Sequence, residues 1–410
     1  MHLVFLTSSA FNLEIIMSVG LTRSEKFVSQ LCEHSFLELW THPNPIAEKG
    51  KELCDCLIVC GPHIVIISVK EIEYKDTGNT IGWERWHHRA IEKSARQIWG
   101  AERWLKISDE VTRHDGRIVT LPPRSERIYH RVSVSLGSKQ QVPIKWGDLG
   151  NGFVHVCDEK SVGIVFSALD TITDFVEFLT ESEAFVTGST KVVFNGGGIE
   201  DLVAIFIQNG YSFANFTGNS GEADMMILDG GIWDGFASSD EFKECAKRFE
   251  GSYRWDALIK HYAIDLLTDG MFEMHSQSVT DDQHALIEMA LQPRDTRAQL
   301  SEAFFAILGN PELKVRSRLA LGYGGTAFVF LIASSSDREI RVQELSLRCL
   351  VVQCKQPDTQ RVVGIATDQP GSSKIGYSTD LVYIDLPDIS QEMIDKATEI
   401  QNELSYFPNL

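Results

Sequence analysis

Apolar and polar positions change period several times along the chain, and each change marks an element. Between residues 22 and 34, Phe27, Val28 and Leu31 recur at helical spacing, Thr22 or Ser24 can cap the helix, and Glu25 falls in its first turn. "SFLELW" at 35–40 alternates as a strand does, and "THPNP" ends it. Two apolar runs between 53 and 71 flank Gly61-Pro62 and predict a hairpin. A loop with Asp76, Gly78 and Asn79 leads into a long helix, about Trp83 to Lys106, whose apolar stripe includes Trp83, Ile91, Ile98 and Leu105. "RIYHRVSVSL" at 127–136 is another strand, so the order helix, strand, strand, strand, helix, strand predicts a compact α/β unit ending near 140.

Beyond it, a strand precedes a helix from about Ser167 to Ser182, and acidic helices fill 238–308 with Pro293 as a break. From Lys314, "TAFVFLIA", "LRCLVVQC", "RVVGIATD" and "DLVYIDL" read as short strands, and a last helix starts at Ser390. The predicted organisation is an extension at 1–21 (dispensable before Met17, a plausible alternative start), an α/β domain at 22–150, a mostly helical region at 151–310 and a β-rich α+β region at 311–410.

The hairpin carries charges where a core is expected. If Gly61 and Pro62 form the loop, Cys60 faces His63 and Asp55 faces Ser68. Lys70, two residues past Ser68, shares that face, while the pleat turns Glu71 and Glu52 away from it. A buried charge is costly unless paired or bound. A simple Asp55–Lys70 ion pair would satisfy the chain, but such pairs gain little over apolar replacements, which favours a site.

Composition narrows the partners. Hydrophobic residues at 43% and charged residues at 23% suit a globular protein, and no apolar run approaches the ~20 residues of a membrane span. The eight cysteines form no CxxC pair, and Cys54, Cys56 and Cys60 alternate onto the strand face opposite Asp55, as core residues of a reducing cytoplasm would. Within a net charge of −19, residues 84–140 hold twelve Lys and Arg against seven Asp and Glu. Six of those basic residues lie on the helix from Trp83, and Arg85, Arg89, Lys93 and Arg96 are the ones expected to line a phosphate-contacting groove; a solvated helix face is the alternative.

Glu25 on a first helix, Asp55 on a strand, a following strand ending in x-x-Lys at Lys70, and Gln97 on the next helix together resemble the PD-(D/E)XK nuclease superfamily, in particular its nuclease-related-domain and RecB-like branch. The likeness covers about residues 24–140. It implies a restriction-endonuclease-like core, a mixed sheet flanked by helices. It also implies Asp55, Lys70, Glu25 and Gln97 as catalytic residues, with Mg²⁺ (or Mn²⁺) held by Asp55, Glu25 and the Val69 carbonyl. The chain departs from the motif at Ser68, where the family carries an acid, and Glu71 is the obvious stand-in.

The function expected from this resemblance is Mg²⁺-dependent cleavage of nucleic acid, DNA ahead of RNA, as in bacterial anti-phage defence. The alternatives are a nuclease fold that binds nucleic acid without cutting it, as a sensor or scaffold, and an unrelated α/β regulatory protein. The C-terminal region would then mediate oligomerisation or partner binding. "NGGGIEDL" at 195–202 lacks the Lys of a P-loop, "GYGGT" at 322–326 reads as a turn, and in "WHHR" Trp86 is expected in the core with His87 and His88 at the surface.

Overall fold

The computed structural model describes residues 21–47, 50–77, 80–139, 147–188, 191–217, 225–268, 280–309, 316–333, 337–369 and 379–410. The expectations for 1–20, Gly78, Asn79 and Lys314 lie outside the described residues.

The first helix, α1 (Arg23–Phe36), is started by a reciprocal cap: Thr22 Oγ1 accepts from the Glu25 N–H, and Glu25 Oε2 accepts from the Thr22 N–H at 2.8 Å. It buries Val28, Leu31, Cys32 and Phe36 and runs two residues past its predicted end. Ser35 and Phe36 therefore belong to the helix rather than to a 35–40 strand, and Leu37 leaves it at a φ of 69°. The Phe36 ring, packed at 4.9 Å from Phe175, explains the extra turn. Strand β1 (Thr41–Pro43) begins only after a turn.

Strands β2 (Cys56–Cys60) and β3 (His63–Glu71) pair with Cys60 opposite His63 and Cys56 opposite Ile67, the predicted register. Gly61 takes the left-handed conformation (φ 54°), and any Cβ there would come to 3.0 Å from the Leu291 Cδ1 of a later helix. The long helix that follows is a composite: α2 (Thr80–His87), a π turn (His88–Glu92) and α3 (Lys93–Leu105). The Ser135 hydroxyl donates to the Ala90 carbonyl within the wide turn, at 3.3 Å. His87 is buried beneath this helix, against the surface placement predicted for it, and stacks on Trp83.

A small hairpin, β4 (Glu110–Thr112) and β5 (Ile118–Thr120), precedes β6 (Ile128–Leu136), which runs parallel to β3. With β7 (Gly147–Asp148) and β8 (Phe153–Cys157) the main sheet has the order β1-β2-β3-β6-β8-β7, so pairing continues past residue 150. This is a mixed sheet flanked by helices: α3 covers one face over Leu57, Ile64 and Ile66, and α1 lies on the other over Ile58, Val65 and Ile67. Cys54 packs with Leu57 and Val59, not with Cys56 and Cys60, so the three cysteines do not share a face.

The helix expected from Ser167 to Ser182 is two helices, α4 (Ser161–Ala168) and α5 (Ile172–Thr187). Thr171 caps the second, and Asp170 between them is held by Arg294 Nε at 2.8 Å, which fixes the break. A parallel pair, β9 (Lys191–Asn195) and β10 (Met225–Asp229), brackets α6 (Ile199–Gln208) and α7 (Ala214–Thr217). Helices α8 (Ile232–Ser238), α9 (Asp240–Phe249), α10 (Tyr253–Thr268), α11 (Asp281–Ala290) and α12 (Arg294–Leu308) follow, with Pro293 capping α12 as the predicted break.

The last sheet has the order β11 (Arg316–Leu321), β12 (Thr326–Ala333), β13 (Arg361–Asp368), β14 (Thr379–Asp385). "LRCLVVQC" is not one of its strands but the end of α13 (Arg338–Lys355), the crossover that the parallel β12–β13 pair requires. Its Leu345, Cys349 and Val352 face the sheet, and a helix stripe this apolar mimics a buried strand. Helix α14 (Gln391–Leu404), capped by Ser390, closes the chain as expected.

Candidate functional site

The β2–β3 ladder brings the two charges together as the register requires. Asp55 is 2% exposed; its Oδ2 accepts the Val69 N–H at 2.6 Å and lies 3.5 Å from Lys70 Nζ. Lys70 reaches the surface while Asp55 does not, so the pair has one face toward solvent. Val69, proposed for its carbonyl, contributes its amide to this cluster.

The remaining predicted residues divide. Ser68 is fully buried and donates to Gln97 Oε1 at 3.0 Å, so Gln97 does face the sheet, through Ser68. Glu25 is fixed by its own capping box, and its charge is felt at the site. Glu71 is exposed, turned away by the pleat as expected, and is no stand-in. Arg85, Arg89, Lys93 and Arg96 are all exposed on the composite helix. Arg96 is drawn to Glu92 at 3.3 Å, whereas Arg85, Arg89 and Lys93 form no ion pair among the described residues. Lys93 sits one turn before Gln97 on the same helix.

The acid that sequence reasoning set aside is Glu52. Pleating alone places it on the face opposite Asp55, but the ladder is not regular there. Asn44 N–H donates to the Asp55 carbonyl at 3.1 Å, while the next bridge joins Ile46 to Glu52. One arm thus advances two residues where the other advances three, and the extra residue is a β-bulge that reverses the parity of everything beyond it. The Glu52 carboxyl is thereby brought to the Asp55 side, close enough for the two groups to interact. Loss of water, then the Asp55 charge and contact, then Glu25, push its pKa up to about 7, against a smaller opposing pull from Lys70. A Pro45-flanked excursion between two strands is the one sequence signal that could have warned of a bulge.

Among the described residues no three His, Cys, Asp or Glu side chains lie together as a ready-made metal cage, and no helix is long and apolar enough to cross a membrane. A second polar pair, His63 Nδ1 and His130 Nε2 at 3.1 Å, sits at the turn end of β3, remote from Lys70 at the other end of that strand. Burial holds the two imidazoles neutral, at pKa values of about 4 and about 3.

The chain matches no protein-family model, no curated protein and no solved structure.

Proposed function

We propose that this protein is a divalent-cation-dependent nuclease whose site is built on Asp55, Glu52 and Lys70. The observation that carries the reading is the placement of Asp55 beside Lys70 at 3.5 Å with a second acid, Glu52, interacting with it, where a lone ion pair would need no second acid. The donor set fits a hard cation, since all its donors are oxygens and Mg²⁺ takes one or two carboxylates and keeps several waters. Asp55 and Glu52 would hold it, with Glu25 and the Val69 carbonyl as the further candidates that the PD-(D/E)XK resemblance supplies. When bound, Mg²⁺ supplies phosphoryl polarisation and a water acidic enough to attack at neutral pH.

The chain's own groups do the rest. The Val69 N–H and Lys70 hold and orient the buried Asp55 side chain. Lys70 presents an ammonium where charge would develop on phosphate oxygens. Arg85, Arg89 and Lys93 offer sequence-independent contacts to the backbone of DNA or RNA. The mixed sheet with α1 on one face and α3 on the other is the feature of the fold that supports the resemblance.

The test is cleavage of single- and double-stranded DNA and of RNA by the full chain with Mg²⁺, Mn²⁺ or chelator. Cation-dependent cutting lost in Asp55→Asn and Lys70→Met supports the reading. A second reading, a nuclease fold that binds without cutting, is favoured by the closed Ser68–Gln97 position, and salt-sensitive binding without cleavage under any cation would establish it instead.

A further inference from the structure

Asn44, the residue after β1, combines three features. Its backbone takes a φ of 42°, a left-handed conformation that Asn tolerates better than most but that still costs energy. Its N–H binds the Asp55 carbonyl at 3.1 Å, which makes it the immediate cross-strand neighbour of the buried acid. The residue is 8% exposed, and its Oδ1 is sealed from solvent with no hydrogen-bond donor among the described residues. A buried amide oxygen left without a donor is destabilising, so its retention calls for a partner that binds there. Thr41 and His42 also bury unpartnered polar atoms, but β1 registers them against Ile58 and Leu57 in the sheet interior; Asn44 alone borders Asp55.

We infer that the Asn44 side-chain oxygen is a further ligand, direct or through one water, of a divalent cation held by Asp55 and Glu52. The inference rests on the reading of that carboxyl pair as a cation site. A neutral amide oxygen suits the position, because hard cations accept carbonyl donors beside carboxylates. The bulge that swings Glu52 onto Asp55 begins at the Asn44 rung, so one local irregularity delivers both groups.

The experiment titrates Mn²⁺ into the full chain and follows free Mn²⁺ by electron paramagnetic resonance. Asn44→Gly keeps the left-handed backbone and removes only the amide. It should weaken Mn²⁺ binding about tenfold or more without lowering the metal-free melting temperature, since it also removes the donorless oxygen and the strain on a non-glycine residue. Asn44→Asp retains an oxygen at the position and should bind at least as tightly as the unaltered chain; it also serves as the deciding variant if the glycine loosens the turn. Should Asn44→Gly bind as the unaltered chain does while Asp55→Asn does not bind, Asn44 is only a turn residue and the inference falls, with the cation site intact. Weaker binding by Asn44→Asp overturns it equally. If the unaltered chain takes up no Mn²⁺, the cation reading and this inference fall together.

Discussion

Replacing Asp55 by Asn separates a cation site from a structural ion pair, because the two make opposite demands on the same side chain. The substitution preserves volume, and the amide oxygen can still accept the Val69 N–H that now binds Oδ2 at 2.6 Å. What goes is the charge, with its 3.5 Å attraction to Lys70 and its repulsion of Glu52. The lysine is partly exposed, so losing that attraction costs about 1 kcal/mol. Relief of the Glu52 contact returns a similar amount, reduced because Glu52 itself lies open to solvent. Folding stability should thus change by no more than about 1 kcal/mol. The effect on function should be far larger: losing several kcal/mol of cation-based charge stabilisation lowers cleavage by roughly three orders of magnitude. Binding linkage supplies a readout without substrate, since Mn²⁺ at a hundredfold excess over its dissociation constant should stabilise the unaltered chain by about 2.7 kcal/mol and Asp55→Asn not at all. Urea unfolding of both proteins, with Mn²⁺ and with chelator, measures every term. The reasoning is refuted if Asn at 55 costs about 3–5 kcal/mol, the penalty for breaking a buried structural pair, while Mn²⁺ leaves the unaltered chain unmoved.

Charge reversal at Arg85, Arg89 and Lys93 together should lower the salt dependence of nucleic-acid binding by about one unit of slope per residue, read from affinities across a salt series; Arg96→Glu should matter less because Glu92 already engages Arg96. Ser68→Glu should destabilise by about 2 kcal/mol or more by burying a carboxylate in a closed position, seen as a lower urea midpoint; a gain in Mn²⁺ affinity without loss of stability would contradict the Glu52 assignment. Acid should weaken the fold: His42, His130 and His155 have folded-state pKa values of about 3, below the usual 6.5, so the unfolded chain binds more protons between those limits. Stability is therefore full above pH 6.5 and falls by up to about 1.4 kcal/mol per histidine for each unit below it, and urea midpoints at pH 7.5, 6.5 and 5.5 check the slope.

Where short-range rules suffice, the sequence anticipates this protein well. Gly61-Pro62 between apolar runs specifies a tight turn, and the turn alone dictates that Asp55 and Lys70 share a face. Glu52 escaped because parity arguments assume an unbroken ladder, and a bulge is a property of two strands pairing, written in neither of them. The α13 segment misled for a related reason: Leu345, Cys349 and Val352 are apolar because a sheet lies beneath them, and only the parallel β12–β13 pairing reveals that a helix must bridge it. Likewise, nothing local to "SFLELW" announces the Phe175 ring against which Phe36 packs.

The participation of β8 in the main sheet has a practical corollary. A fragment ending at residue 150 would keep Asp55, Glu52 and Lys70 yet strip Phe153–Cys157 from β6, baring Val132 and Val134 along a fresh parallel edge. Such edges template intermolecular strand pairing, and the hairpin turn at Gly61 would simultaneously lose its seat on Leu291. The third of the molecule that holds Asp55, Glu52 and Lys70 is thus not an excisable cassette. Any transplant of it into another protein must carry the chain to at least Cys157 and shield the Gly61 turn to keep that edge and that turn covered.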